Sequence, residues 1–194
     1  MGFMREFVLP FFLFSIIEVL GKTWRIRIKG KLPPSGIFLF YHGEMLPLLY
    51  AFKKRKIYVL VRNSPDGRLA GRVAELMGYS PVFSARDYSP LAIAVDGPKG
   101  PRGVIRPRLL RWLEERGEKV FFFRAYPSRG FILPTWDRFI IPLPFSVVEI
   151  EITPFELAFE EIKKGVPGRL CAPADTHSKK NPLPGGRGEG NGIY

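Results

Sequence analysis

The fold is indicated by the stretch Ile37-Phe38-Leu39-Phe40-Tyr41-His42-Gly43. Five apolar residues in succession are typical of a strand that is buried on both faces, as parallel strands covered by helices are. His42 and Gly43 follow at the point where this strand leaves the sheet. Because α/β proteins place their sites at the carboxyl ends of parallel strands, His42 is the first candidate for a catalytic residue.

Further strand and helix patterns alternate on both sides of this stretch. The pattern predicts the other strands at 24–29, 57–61, 79–83, 91–95, 119–124 and 147–152. It predicts helices at 7–20, 44–52, 66–77, 106–116 and 153–164. Such alternation predicts an α/β fold: one layered domain with a mostly parallel central sheet flanked by helices and preceded by an apolar N-terminal helix.

Two helix starts carry capping signals. Asp66 is expected to cap the third helix, which Gly78 would terminate. Thr153-Pro154-Phe155-Glu156 has the form of a capping box with proline at the first helical position, so a helix is expected from there to about Lys164.

One link does not fit a parallel sheet. Only Ser84 to Pro90 separates two predicted strands, whereas a parallel crossover needs about a dozen residues. Three alternatives follow: the two strands are antiparallel, one of them is not a strand, or a helix is missing between them.

The composition divides the chain into three parts. Residues 1–22 form an apolar, membrane-associating helix, and residues 23–164 form the α/β domain. Residues 165–194 contain seven Gly and four Pro, which predicts a flexible tail without a site of its own.

The N-terminal helix leaves two interpretations open. Eleven of the fourteen residues from Phe7 to Leu20 are apolar, and the helix would measure about 21 Å, less than the roughly 30 Å of a bilayer core. No small-residue cleavage site follows, which argues against a signal peptide. The helix either lies in the membrane interface, with Lys22, Trp24 and Arg25 near the headgroups, or packs on the domain core.

The charge of the chain points to anionic partners. Thirty Lys and Arg residues against 18 Asp and Glu give a net charge of +12, which suits phospholipid headgroups, phosphorylated substrates or nucleic acid. The 17 Phe residues, many in apolar runs, favour lipid, and no nucleic acid partner is expected. Cys171 is the only cysteine, so an intrachain disulfide and a cysteine-based zinc site are excluded, and no metal site is predicted.

Three further segments could carry chemistry. The loop from Asp96 to Gly103 follows a buried strand, and Gly97 permits a tight turn while Lys99 and Arg102 offer charge for a phosphate. Arg62 and Asp66 flank the start of the third helix, where an anion could bind or Asp66 could simply cap. The segment 135–145 suits structural packing, a groove wall or a membrane-facing loop, with Asp137 and Arg138 paired to each other.

Read together, these motifs resemble a family. The strand followed by His42-Gly43, the Asp66-Gly67 helix start, the loop Asp96-Gly97-Pro98-Lys99-Gly100-Pro101-Arg102, and the segment from Trp136-Asp137-Arg138-Phe139 to Pro142-Leu143-Pro144-Phe145 occur in that order. This order is similar to the bacterial branch of the lysophospholipid acyltransferase-like superfamily that is labelled a domain of unknown function. The resemblance covers about Phe11 to Glu161.

The resemblance implies an enzyme of phospholipid metabolism at the cytoplasmic face of the cell membrane. It implies transfer of a fatty acyl group from a thioester, acyl-CoA or acyl-carrier protein, to a hydroxyl of a glycerol- or sugar-based lipid, with no bound cofactor. His42 would be the general base. In the wider superfamily an Asp five residues later orients the His, but Pro47 stands there, which leaves Glu44, Asp66 and Asp96 as candidates. Lys99 and Arg102 would hold a phosphate or the carrier.

A second hypothesis from the same residues is a non-catalytic lipid-binding protein that retains the fold. Pro47 and the short link at 84–90 favour it. A carboxylate within hydrogen-bond reach of His42 would favour the enzyme. The sequence leaves the number of subunits open.

Overall fold

The central feature of the structure, a computed structural model that describes residues 8–85, 87–97 and 100–156, is a seven-stranded sheet. Helices and strands follow the chain in this order: α1 Leu9–Lys22, β1 Arg25–Lys29, β2 Ile37–Phe40, α2 Met45–Ala51, β3 Tyr58–Leu60, α3 Pro65–Leu76, β4 Ser80–Val82, β5 Leu91–Ala94, α4 Pro107–Arg116, β6 Val120–Pro127, β7 Gly130–Ile132, β8 Ile140–Pro142 and β9 Val147–Pro154. The strand order in the sheet is β1-β9-β6-β2-β5-β3-β4.

The sheet is mostly parallel, as the sequence predicts. Strand β2 lies between β5 and β6 and is parallel to both, and β3 is parallel to β4 and β5. The antiparallel neighbours are β6 and β9, while β1 is parallel to β9. The carboxyl ends of β2, β5, β3 and β6 therefore meet at one end of the sheet, where β9 and β1 begin.

Successive side chains of β2 point to opposite faces of the sheet and belong to two separate core clusters. Phe38 packs in a cluster with α1, α2 and α3, whereas Ile37 and Leu39 pack in a second cluster with Leu113 of α4. Each face of the sheet is thus covered by helices, which explains why β2 consists of apolar residues without interruption.

The short link at 84–90 joins two strands that are not neighbours. Both β4 and β5 are parallel strands, and they lie on opposite sides of β3. Each of the three alternatives from the sequence was wrong on this point, because β4 and β5 have only three and four residues, so that a short extended link can return past the sheet without a helix. The described residues of the link, 84–85 and 87–90, contain no helix.

Three further details differ from the sequence predictions. The side chain of Ser64, rather than Asp66, caps α3 by accepting a hydrogen bond from the Gly67 amide. Thr153 and Pro154 belong to β9, because they continue the antiparallel pairing with β6, and helical residues begin at Phe155. The rest of that predicted helix, the start of the N-terminal one and the tail at 165–194 lie outside the described residues.

The segment 128–146 forms a hairpin that the sequence does not reveal. It leaves the carboxyl end of β6, pairs β7 with β8 in an antiparallel two-stranded sheet, and returns to the start of β9. Its base is closed by a hydrogen bond from the Leu143 amide to the Arg129 carbonyl. The hairpin therefore stands at the end of the main sheet at which β2 and β5 terminate.

Within the part of the chain that the structure describes, no helix combines the length and the apolar character that crossing a bilayer requires.

Candidate active site

Asp96 fixes the backbone at the end of β2. Because β2 and β5 are parallel neighbours, the residues that follow them lie side by side. The Asp96 carboxylate is fully buried; one oxygen accepts a hydrogen bond from the His42 amide at 2.9 Å, and the other accepts one from the Gly103 amide at 3.4 Å. One carboxylate thus holds both the His42 backbone and the far end of the glycine–proline loop.

The imidazole of His42 pairs with Asp137. The distance from its Nδ1 to Oδ2 of Asp137 is 2.7 Å. The Asp137 side chain is only 6% exposed, and the hydroxyl of Thr135 donates to its other oxygen. The carboxylate accepts a hydrogen bond from the N–H at Nδ1, so the lone pair of the neutral ring lies on Nε2. The His42 side chain is 30% exposed, which leaves the ring accessible from solvent.

Glycine at position 43 allows the hairpin to come this close. A Cβ atom on Gly43 would lie 2.2 Å from the Asp137 carbonyl oxygen, a distance that no real contact has. The turn that carries Asp137 is closed by a hydrogen bond from the Arg138 amide to the Thr135 carbonyl. Gly43 therefore serves the His42–Asp137 pair by permitting backbone contact between the two segments.

Trp136 joins the hairpin to the glycine–proline loop. Its ring lies against the His42 ring, with 5.4 Å between the centroids. Gly100, with a positive φ of 64°, packs so tightly on the indole that a Cβ atom there would be 2.7 Å from Trp136. The indole is 41% exposed, so it forms an apolar wall beside the accessible imidazole.

The pKa of the Asp137 carboxyl lies below its ordinary value of 3.8. Burial is the largest influence and acts to raise the pKa, but the hydrogen bonds from Thr135 and His42 and the charge of a protonated His42 together outweigh it. Asp137 is therefore ionised at neutral pH.

This shift predicts how stability depends on pH. A carboxyl whose pKa is lower in the folded state contributes stability above its unfolded pKa and loses it as pH falls through the folded value. We expect Asp137→Asn to lower the free energy of unfolding above about pH 4, and to lower it by a diminishing amount as the pH falls below that value. Urea unfolding of both proteins across this range measures the difference. A difference that does not change down to the lowest pH would contradict the assignment.

Glu44 lies next to His42 in sequence but serves another partner. Its buried carboxylate accepts hydrogen bonds from Nε and Nη2 of Arg124 at 2.9–3.1 Å and from the Ala125 amide at 3.0 Å. The Arg124 guanidinium also lies over the rings of Tyr41 and Tyr126. Glu44 therefore ties the turn after β2 to β6, and it does not orient the imidazole.

The remaining predicted residues spread over the same end of the sheet. Arg62 is exposed after β3, two strands from β2, and Asp66 is exposed in the first turn of α3. Gly97 has the positive φ, 57°, that its turn requires. Lys99 lies outside the described residues. Arg102 is half-buried and lies near Tyr41. Burial is the largest influence on the pKa of the Tyr41 phenol and raises it, while the positive charge of Arg102 acts to lower it.

The sequence prediction misses Asp137 as the partner of His42. It expects Glu44, Asp66 or Asp96 to orient the ring and pairs Asp137 with Arg138, whereas the structure pairs Asp137 with His42 and Thr135. One signal was present: Asp137 is the only acidic residue between Ser128 and Ser146, in a strongly apolar segment. A carboxylate in such surroundings is rarely buried without a partner. No group of three His, Cys, Asp or Glu residues arranged to hold a metal occurs in the described ranges.

Comparison with known proteins identifies one distant relative and no activity. No protein-family model matches the chain, and no solved structure matches it. An uncharacterized protein of Rickettsia prowazekii (strain Madrid E), RP090, is 25% identical over an alignment of 146 residues that covers 66% of this chain. The chain likewise spans 66% of the length of that relative.

Proposed function

We propose that the chain is a membrane-associated acyltransferase that moves a fatty acyl group from a thioester donor to a hydroxyl of a glycerol- or sugar-based lipid. His42 is the general base. The observation that carries the proposal is the 2.7 Å contact between Nδ1 of His42 and the buried Asp137 carboxylate, on a ring that is still accessible. A purely structural histidine needs the contact but has no need of a ring that stays accessible.

The chemistry uses that second nitrogen. The lipid hydroxyl donates its proton to Nε2 of His42 as its oxygen attacks the carbonyl carbon of the thioester. The new C–O bond forms, the C–S bond breaks, and the imidazolium returns the proton to the departing thiolate. One thioester and one alcohol thus give one ester and one thiol. Asp137 holds the ring in the required tautomer and stabilises its transient positive charge.

The surroundings of the ring suit both substrates. The exposed indole of Trp136 offers an apolar wall for the acyl chain, and the order of motifs resembles acyl-thioester-dependent transferases. Arg102 lies on the loop that Asp96 fixes, so its charge is available to a phosphate of the acceptor or of acyl-CoA or acyl-carrier protein. No bound cofactor is needed for this chemistry.

The first helix supports a peripheral location at the membrane, which we propose to be its cytoplasmic face. The side chains of Phe11, Phe12, Ile16 and Val19 are exposed, while the opposite side of α1 packs on the core. The packed face agrees with the second interpretation of this helix from the sequence, and the exposed face is the one that we propose for the membrane interface. An exposed apolar stripe of this kind is suited to lie in a membrane interface.

A non-catalytic lipid-binding protein is the second candidate. Pro47, which replaces the usual carboxylate position, is buried in α2 and has no proton to exchange. In that case the His42–Asp137 pair would only fasten the hairpin to the sheet, and the lipid composition of the cell would not depend on His42.

Lipid mass spectrometry separates these two candidates. Cells with the gene, without it, and with the His42→Ala form should be compared. We expect an acylated lipid that is present only with the wild-type gene, and its mass identifies the acyl chain and the acceptor. Identical lipids in all three strains would contradict the acyltransferase and favour the binding protein.

Arg102 provides a test of acceptor binding. We expect Arg102→Ala to raise the KM for a phosphorylated acceptor about tenfold, which corresponds to ~1.4 kcal/mol, and to change kcat by less than about twofold. Steady-state kinetics with purified protein measures both. Arg111→Ala, an exposed arginine on α4, removes the same charge elsewhere and serves as the control. An unchanged KM, or an equal rise in the control, would exclude specific anion binding by Arg102.

A further inference from the structure

The hairpin exposes more apolar surface than its own packing requires. Four large side chains on it face solvent, and we call them the hairpin patch: Phe131 (57% exposed), Trp136 (41%), Leu143 (43%) and Phe145 (71%). Exposed apolar residues that occur singly need no explanation, but four within fifteen residues on one hairpin form the kind of surface that marks an interaction site.

Phe145 is held in an unfavourable backbone conformation. Its φ of 62° lies in the left-handed region, which bulky residues rarely adopt. Glycine would satisfy this turn without strain, and a polar residue would suit its exposure. Because an exposed aromatic ring in a strained turn adds nothing to the packing of this chain, the residue type is explained better by contact with something else.

The charges around the patch favour an anionic partner. Arg129 and Arg138 are exposed on the hairpin, and its single acidic residue, Asp137, is buried against His42 and Thr135. The hairpin therefore presents aromatic and aliphatic side chains together with positive charge and no exposed carboxylate. This combination fits the interface of an anionic membrane, where aromatic rings lie at headgroup depth beside basic residues.

The patch also reaches the candidate active site. Trp136 belongs to it and contacts the His42 ring, while the hairpin stands at the end of the sheet where β2 terminates. We propose that the hairpin patch is a membrane-docking surface for anionic lipid, separate from the stripe on α1, which brings His42 to the bilayer so that a lipid reaches the ring without crossing water. That last role rests on the proposed acyltransferase function, whereas the docking itself does not.

Vesicle binding tests the docking without any turnover. The full chain and its Phe131→Ser/Phe145→Gly form are sedimented with vesicles of phosphatidylcholine alone and of phosphatidylcholine with phosphatidylglycerol. We expect the wild type to prefer the anionic vesicles and the double variant to partition about tenfold less into them. The melting temperature should not fall, because glycine relieves the strain at position 145.

A matched control separates docking by the hairpin patch from nonspecific binding through exposed apolar side chains. Leu76→Ser removes an exposed apolar side chain from the end of α3, towards the opposite end of the sheet, and should leave partitioning unchanged. Brominated lipid should quench the tryptophan fluorescence of the wild type, and most of this quenching should be lost in Trp136→Phe, since Trp24 is buried and Trp112 packs half-buried on α4.

Three outcomes would overturn the proposal. The double variant could bind anionic vesicles as tightly as the wild type, which would assign binding to α1 alone. Quenching could be the same with and without Trp136. Light scattering could reveal a dimer that the double variant dissociates, which would make a second copy the occupant of the patch. Failure of acyl transfer with vesicle binding intact would instead contradict only the proposed function.

Discussion

Replacing His42 by Ala is expected to lower the rate of acyl transfer by about a thousandfold, within the range that general base catalysis supplies. Ala cannot accept the proton of the attacking hydroxyl, and no other His lies in the described residues. The free energy of unfolding should change by about 1 kcal/mol, because the ring is partly exposed and water can replace it beside Asp137. The loss should therefore appear in kcat with folding intact.

The measurement is thiol release from an acyl thioester by purified protein, with thermal unfolding of the same samples. His42→Gln is the matched variant: its amide can still donate to Asp137 but has no basic nitrogen, so it should fold like the wild type and be as inactive as His42→Ala. Activity in either variant within about threefold of the wild type would remove His42 from the mechanism.

The largest expected effect on stability belongs to Arg124. Its guanidinium neutralises Glu44, which is 3% exposed and has only the Ala125 amide as a further donor in the described contacts. Arg124→Ala leaves that carboxylate buried without a counter-charge, so we expect the free energy of unfolding to fall by about 3–5 kcal/mol. Part of the loss comes from the contacts of the guanidinium with Tyr41 and Tyr126.

A double-mutant cycle isolates the charge. Glu44→Gln removes the carboxylate. The free energy of unfolding lost in the double variant should therefore be smaller, by at least about 1 kcal/mol, than the sum of the losses in the two single variants. Lys29→Ala breaks the exposed pair with Glu149 and should cost less than about 1 kcal/mol. Additive effects in the cycle, or an Arg124→Ala protein as stable as Lys29→Ala, would contradict a buried, coupled pair.

The residues that the sequence locates correctly are those whose position follows from a strand end. His42 and Asp96 each come directly after an apolar run, and parallel strands bring such residues together. The alternation of strands with helices in turn predicts the mostly parallel sheet, because both faces must be covered.

The side chains that pair with His42 and Glu44 could not be predicted from strand ends. Asp137 reaches His42 from 95 positions away on a hairpin whose strands have only three residues each, which is too short for a periodic signal. Arg124 reaches Glu44 across 80 positions. Contacts of this kind depend on tertiary packing, such as the close approach at Gly43, which no local pattern encodes.

The connection between β4 and β5 through the link at 84–90 could not be predicted from the sequence either. Its length predicts a conflict for parallel strands of ordinary length, whereas β4 has three residues and β5 four, so a short extended link can return past them. Strand length and strand order are set by the packing of the whole sheet, and the local pattern of the sequence gives neither.

The central claim is that His42, oriented by Asp137, transfers an acyl group to a lipid hydroxyl. The most direct measurement follows the purified full chain with a fatty acyl thioester and lipid acceptors in vesicles, and quantifies free thiol and new lipid ester together. The account predicts one ester for each thiol, with thiol release dependent on the acceptor. Thiol release without ester, or no release above the rate in buffer with any acceptor lipid, would contradict it.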